Sequence, residues 1–377
     1  MLEMRYGVTL FFVLSGFLLL VRYYNTIFTK TSFKVYWLKR FARIMPLYWT
    51  LLVIMFGYYV ANGMNLTPFP VYVTLTQGFF SELKFQGIGV AWSLTVEECF
   101  YLMLPFLILA IRLFWREDSF NWIKFGIATA LLVGIAWLLY RAGEELHDAR
   151  LWSWGGFMAE KSDMRLYTIF GRMGDFAIGM LFGLIYIKSR NLALNWGWVA
   201  DLAIVVSTIG ILVVCYHIFM NLGKGPSWDN LARAAGMQWN LVNAFFSAVI
   251  IYFMCSPLSL LGKLFSWKPF VYLGEISFAL YLVHFNYISF HLYGFVENFQ
   301  WGMVSSMVLI YLVLTVVSVL CYEVIERPSQ HLILDRAGLL RGSVRRPTAL
   351  RLLGMSRRSG DYDPEARKRR NTSSARI

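Results

Sequence analysis

The feature that most constrains this chain is the length of its apolar runs. They come in blocks of about 18 to 24 residues, each long enough as a helix to cross the hydrocarbon core of a bilayer. In lipid every backbone N–H and C=O has to be satisfied inside the segment, so such runs fold as α-helices. Nine spans read out, at roughly 7–21, 46–61, 90–113, 121–140, 166–187, 197–219, 237–255, 270–293 and 302–325. The expected fold class is all-α, a polytopic transmembrane helix bundle of about nine spans. Composition agrees, with 58% hydrophobic and only 15% charged residues, where a soluble domain is nearer half and a quarter. A shorter apolar piece at 67–80 holds two prolines and cannot cross, so it is expected at the interface or as a re-entrant segment. The first run lacks a small-x-small cleavage site and continues into VRYYN, which reads as a retained helix, not a signal peptide.

Charge sets the expected orientation. The net charge of +13 would suit nucleic acid, but most of the excess lies in one loop and the tail, which argues against a nucleic-acid partner. Placing 22–45, 112–124, 188–190, 257–269 and 327–377 on one side gathers 26 of the 35 Lys and Arg there. The positive-inside rule makes that side cytoplasmic, the C-terminus included, and points to an integral protein of the cell membrane. The expected division is 1–328 as the transmembrane domain and 329–377 as a basic, disordered cytoplasmic tail able to lie on anionic lipid. Cys99, Cys215, Cys255 and Cys321 lie in or beside apolar runs and read as packing residues. There is no metal-ligand spacing, internal repeat or nucleotide-binding glycine loop. Oligomeric state is not readable.

Polar residues inside such spans carry the chemistry, because a carboxylate in a bilayer interior costs at least about 2.5 kcal/mol. The third span holds two glutamates in AWSLTVEECFYLMLP (91–105). At 100° per residue, Ser93, Glu97 and Tyr101 share one helical face, while Glu98 points about 100° away. Glu97 is expected either to pair with an Arg or Trp and fix packing, or to serve a catalytic or binding cavity. On the eighth span Ser277, Tyr281 and His284 share a face, with His291 two turns on, and a neutral membrane His can relay a proton. Arg172 and Asp175 of the fifth span are i, i+3 and can neutralise each other, or Arg172 can reach Glu97. Lys39, Arg40 and Arg43 form a basic cluster just before a helix expected to begin at Pro46, suited either to an anionic cofactor or to lipid phosphate. Glu323 and Glu326 sit on the last turns of the ninth span, which Pro328 is expected to end, with Glu326 a candidate clamp to that basic loop. The tryptophans of LWSWGG, in an expected outer loop at 141–165, suit an acceptor contact or an interfacial anchor. A polar cavity near the outer face and a basic site at the inner face describe an acyltransferase, and also a carrier or exporter. Carriers often show inverted repeats and broken helices, and neither is seen here.

Six segments resemble the acyltransferase 3 family of integral membrane O-acyltransferases: GVTLFFVLSGFLL (7–19), WLKRFARIMPLYW (37–49), AWSLTVEECFYLMLP, GRMGDFAIGM (171–180), LGEISFALYLVH (273–284) and YEVIERP (322–328). The resemblance implies a ten-helix bundle that takes acyl-CoA, usually acetyl-CoA, from the cytoplasm, with no metal. It delivers the acyl group to a hydroxyl of a carbohydrate or lipid acceptor at the outer face. It implies Arg40 and Arg43 near the CoA phosphates and carries over Glu97, Arg172, His284 and Glu326 as motif residues. Together with the helical faces above, Glu97 and His284 are the expected catalytic residues, and Ser93, Tyr101, Arg172, Tyr281 and Glu326 the expected substrate or structural polar-cavity residues. Ser15 falls in the LSG turn of the first segment. The family also carries an earlier helix with an Arg and a His separated by ten intervening residues, that His being the expected base. Here the first His is His147, so a start upstream of Met1 is expected. A non-catalytic relative is the alternative.

Overall fold

The computed structural model describes residues 5–27, 29, 31–63, 68–117, 119–150, 154–189, 197–222, 237–284 and 302–339. They form helices α1 (Arg5–Tyr23), α2 (Phe33–Ala61), the short α3 (Phe69–Val73), α4 (Trp92–Phe114), α5 (Trp122–Ala149), α6 (Lys161–Tyr167), α7 (Ile169–Lys188), α8 (Gly197–Leu222), α9 (Met237–Met254), α10 (Leu260–Phe265), α11 (Lys268–Val283), α12 (Met303–Cys321) and α13 (Arg327–Arg336). Seven stretches are long and apolar enough to cross a membrane: α1, α2, α4, α5, α6 with α7, α8, and Val304–Arg336. The all-α polytopic bundle expected from the apolar runs is what forms, and this is an integral membrane protein. The helix α9 is shorter, and the expected span at 270–293 is described only as far as His284.

The bundle is organised around α1 against α7. Water does not drive helices together in lipid, so close packing does, and small residues permit it. A Cβ at Gly16 of α1 would run into the Phe176 carbonyl, and one at Gly179 of α7 into the Val13 carbonyl. The two backbones therefore touch. Phe176 then stacks on Phe12 of α1, with centroids 4.7 Å apart, and on Phe100 of α4 at 4.0 Å. That three-ring stack sets the rotation of α4 and turns Glu97, one turn before Phe100, inward.

Three boundaries differ from the sequence reading. The helix α2 begins at Phe33, capped by Ser32 through the Val35 N–H at 3.3 Å, and Pro46 lies inside it. Lys39, Arg40 and Arg43 are thus on a membrane helix instead of in a loop. One turn on, the Thr50 hydroxyl donates back to the Pro46 carbonyl at 2.8 Å. At the other terminus Pro328 does not end the ninth span: a π-turn at Tyr322–Glu326 precedes α13, with the Arg327 N–H reaching the Tyr322 carbonyl five residues back. One extra residue in the turn absorbs the donor that proline lacks. The start of the segment expected as tail is helical to Arg336; residues 340–377 lie outside the described residues. Finally, 141–149 is the last part of α5, not loop.

The chain divides into residues 1–330 and 331–377; the site lies in the first unit. At the basic end of that unit, Tyr24 donates to the Trp115 carbonyl, and the buried Lys188 donates to the Glu117 carbonyl while lying 4.5 Å over the Tyr24 ring. At the opposite end the piece at 67–80 is α3 followed by a 3-10 turn, too short to cross. It is pinned by the Tyr48 hydroxyl on the Tyr72 carbonyl at 2.7 Å and by the Gly78 N–H on Thr95 at 3.2 Å. Burial pushes the Tyr72 phenol up to about 12, so it stays a donor, to Gln86 at 3.1 Å. A buried Lys84–Asp163 ion pair ties the same segment to α6. Of the four cysteines, all free, Cys255 is exposed and does not pack as expected.

Candidate active site

Glu97 lies five residues inside α4 and is 1% exposed. Its Oε1 accepts from Tyr101 one turn on and from Ser15 of α1 at 3.1 Å. Its Oε2 is buried with no hydrogen-bond partner among the described residues. Two neutral hydroxyls leave half of the carboxylate without a partner among the described residues, an arrangement that is costly in lipid. Ser15 is helical rather than in a turn, and its hydroxyl reaches Glu97 because α1 crosses α4 there.

The basic cluster approaches the same carboxylate from the other end. The Arg40 guanidinium, 8% exposed, sits 5.7 Å over the Tyr101 ring. Its Nε is buried without a partner among the described residues. Arg43, one turn on, is exposed and makes no hydrogen bond or ion pair among the described residues. A cavity of about 330 Å³ brings these groups together: Glu97, Tyr101, Ser15, Arg40, Arg43, Arg22 and Ser277 border it, with Phe11, Leu14, Leu18, Ile44 and Phe278 as apolar wall. Glu97 and Tyr101, expected in an outer polar cavity, therefore share one space with the basic residues expected at an inner site, while Ser93, Tyr281 and His284 do not border it. The two regions looked separate because α2 was expected to begin thirteen residues later than it does.

On the far side of Glu97 the Ser93 Oγ lies 2.6 Å from the Tyr281 hydroxyl. Tyr281 also stacks on Phe11 of α1, with centroids 6.2 Å apart. The His284 Nδ1 is 2.7 Å from the Tyr281 carbonyl, one turn away. Ser93 and Glu97 lie one turn apart on the same face of α4, and Tyr281 and His284 one turn apart at the end of α11. His291 lies outside the described residues.

Arg172 does not reach Glu97. It pairs with Asp175 at 3.1 Å, donates to Thr9 at 3.3 Å and lies 5.5 Å over the Phe12 ring, both partners being 2% exposed. The i, i+3 neutralisation is the alternative realised. Glu326, 3% exposed, borders a second cavity of about 300 Å³ together with Arg43. Its clamp to the basic cluster is shared space, not a hydrogen bond. Glu323 is taken by Arg327 at 3.0 Å and by the Tyr272 hydroxyl at 3.2 Å. Sequence reasoning missed Arg22, whose place in the last turn of α1 beside a basic helix was the available signal. It also missed Lys84–Asp163, for which no periodicity exists. Among the described residues no three His, Cys, Asp or Glu gather as metal ligands.

Residues 4–323 match the model of an acyltransferase domain family, acyltransferase 3. The chain is similar to the peptidoglycan O-acetyltransferase OatA of Listeria monocytogenes serovar 1/2a, 25% identical over 307 residues, covering 75% of this chain and 44% of that protein. It is similar also to the O-acetyltransferase OatA of Staphylococcus aureus strain NCTC 8325, 24% identical over 311 residues, 75% of this chain and 46% of that protein. The chain thus spans less than half the length of the curated relatives it matches. No solved structure matches.

Proposed function

Because the chain belongs to the acyltransferase 3 family, we propose that it transfers an acyl group, acetyl in the first instance, from cytoplasmic acyl-CoA to a hydroxyl of an acceptor at the outer face of the plasma membrane. The relatives' names favour a cell-wall carbohydrate as acceptor. One observation carries the reading: the guanidinium groups of Arg40 and Arg43 and the orphaned Glu97 carboxylate border a single cavity with an apolar wall. That combination suits an anionic head with a thin flexible arm. Three guanidiniums, those of Arg22, Arg40 and Arg43, offer forked donors for phosphate oxygens. The apolar wall formed by Phe11, Leu14 and Leu18 guides the arm toward Glu97. Bound there, the acyl-CoA supplies an activated thioester.

In the transfer, the acceptor oxygen forms the new bond to the acyl carbon as the carbon–sulfur bond breaks, and the acceptor's proton ends on the departing sulfur. That proton needs a base on the acceptor side and a path inward. His284 is the base proposed, with Tyr281 and Ser93 leading toward Glu97, which Tyr101 and Ser15 hold in place. The basic charge of the C-terminal segment supports a cytoplasmic C-terminus in this reading.

The test uses membranes holding the chain, supplied with labelled acetyl-CoA and a peptidoglycan-derived acceptor, following release of free CoA thiol. Acceptor-dependent thiol release is expected. Arg43→Ala should raise the KM for acetyl-CoA, and Glu97→Gln should lower kcat. Wild-type behaviour of both variants removes the site assignment, while label that crosses with its thioester intact identifies a carrier.

A further inference from the structure

The acyl-donor reading leaves the second cavity without a use. It is bordered by Arg43 of α2, Val271 and Glu275 of α11, and Tyr322 and Glu326 of the π-turn. Three observations make it a site rather than a gap. Glu326 is 3% exposed and its Oε2 has no hydrogen-bond partner among the described residues, so a buried acceptor is left for something else to satisfy. A second carboxylate, Glu275, is held beside it by the Tyr322 hydroxyl, which donates to its Oε2 at 3.4 Å, while Glu323 is taken by Arg327 and does not border the cavity. And Arg43 is exposed there with no hydrogen bond or ion pair of its own among the described residues.

One guanidinium and two carboxylates around one cavity are complementary to a ligand that is anionic at one point and cationic close by. The surroundings are apolar. Val271 borders the cavity and is 48% exposed, and Trp267 and Leu273 beside it in sequence and Val324 of the π-turn are exposed as well. On a chain that spans the membrane such side chains face acyl chains, and a Trp favours the headgroup level. A phospholipid supplies both halves, a charged head for the cavity and chains for the apolar side chains. Its head can be chosen by chemistry. Ethanolamine puts a primary ammonium, with three N–H donors, two carbons from the phosphate, and each N–H⋯carboxylate bond is charge-assisted. Choline has the charge but no N–H to satisfy Glu326, and a glycerol head has hydroxyls but no cation to offset two carboxylates.

We propose that this cavity seats the headgroup of a phosphatidylethanolamine-type phospholipid: its ammonium donates to Glu326 and Glu275, its phosphate meets Arg43, and its acyl chains run over the exposed apolar side chains of α11. The assignment goes beyond the acyl-donor reading and does not depend on it. Arg43 borders the Glu97 cavity too, and a guanidinium has five N–H donors, enough to face an anion in each space. Glu326 is placed for this by the π-turn, whose wider coil turns one residue out of the α-helical register ahead of Pro328.

The test is binding by the purified full chain in a non-ionic detergent, with no turnover required. Short-chain phosphatidylethanolamine, phosphatidylcholine and phosphatidylglycerol are compared by calorimetry, with glycerophosphoethanolamine as the same head without chains. Wild-type protein is expected to bind phosphatidylethanolamine at least about tenfold more tightly than the other two lipids, as one or two charge-assisted hydrogen bonds would give, and more tightly than glycerophosphoethanolamine. Glu326→Gln and, at the exposed position, Glu275→Gln should each cut phosphatidylethanolamine affinity several-fold and leave phosphatidylcholine affinity unchanged. Equal affinity of the wild type for the ethanolamine and choline lipids overturns the site, as does binding of none of them. Equal affinity for glycerophosphoethanolamine and its lipid would mean a soluble zwitterion and overturns the lipid. A parallel loss of both lipids in Glu275→Gln, whose exposure makes misfolding no explanation, also overturns it.

Discussion

The Ser93 Oγ and the Tyr281 hydroxyl are 2.6 Å apart, and both reach the same carbonyl, that of Val90, at 3.0 and 3.1 Å. Each hydroxyl has one proton, so two arrangements satisfy the trio. Either Tyr281 donates to Val90 and receives from Ser93, or the roles reverse. Switching between them turns two O–H bonds without moving a heavy atom, and each hydroxyl keeps its proton. Such a pair is suited to relay, and it also fastens α11 to α4.

Tyr281→Phe separates those two roles. It keeps the stacking on Phe11 and removes the hydroxyl, while Ser93 still has Val90. If the pair relays protons, kcat should fall by about 10²-fold, the usual worth of a proton-transfer group, with the KM for acetyl-CoA within about twofold. Purely structural fastening would instead lower thermal stability and move both constants. Steady-state kinetics with melting in detergent decides.

Arg40 tests the geometry of the basic wall. It is buried over the Tyr101 ring, and a lysine there keeps the charge but loses the planar fork and the stacking. Arg40→Lys should raise the KM for acetyl-CoA about tenfold or more, as expected where one charge-assisted hydrogen bond is lost. An unchanged KM would show that Arg40 holds α2 to α4 and does not touch the donor.

The spans and most of the polar groups could be read in the sequence because apolar length and helical spacing are local properties. Ser93, Glu97 and Tyr101 fall on one face as the 100° arithmetic requires, and Tyr281 with His284 likewise. What could not be read was how far apart the two polar regions are. That depends on where α2 starts, which Ser32 fixes by capping, and on the rotation of α4, which the Phe12–Phe176–Phe100 stack fixes from two other helices. Arg172 shows the same limit: spacing allowed both Asp175 and Glu97 as partners, and only packing against Thr9 and Phe12 chose between them.

Gly16 is one of the positions where the backbones of α1 and α7 touch, its missing Cβ facing the Phe176 carbonyl. Gly16→Leu should push the helices apart and cost about 1–3 kcal/mol or more, since backbone cannot yield as a side chain does. Since Ser15 is the next residue, the separation also withdraws its hydroxyl from Glu97. Size-exclusion chromatography and melting in detergent should show a smaller folded fraction; full stability would mean that α1 can slide along α7.

Arg172 and Asp175 give the sharpest distinction between a packing pair and a substrate contact. Both are 2% exposed, so removing one leaves a buried charge alone. Arg172→Ala should destabilise by about 3–5 kcal/mol, whereas Arg172→Met with Asp175→Leu together should restore most of it, because an apolar pair of similar volume has no charge to desolvate. If the pair only packs, the double variant should also regain acetyl transfer. A stable double variant with transfer still lost would mean that the Arg172 charge acts on the reaction, through Thr9 and the Phe12 face of α1. Melting temperature and kcat of the single and double variants, measured side by side, distinguish the two.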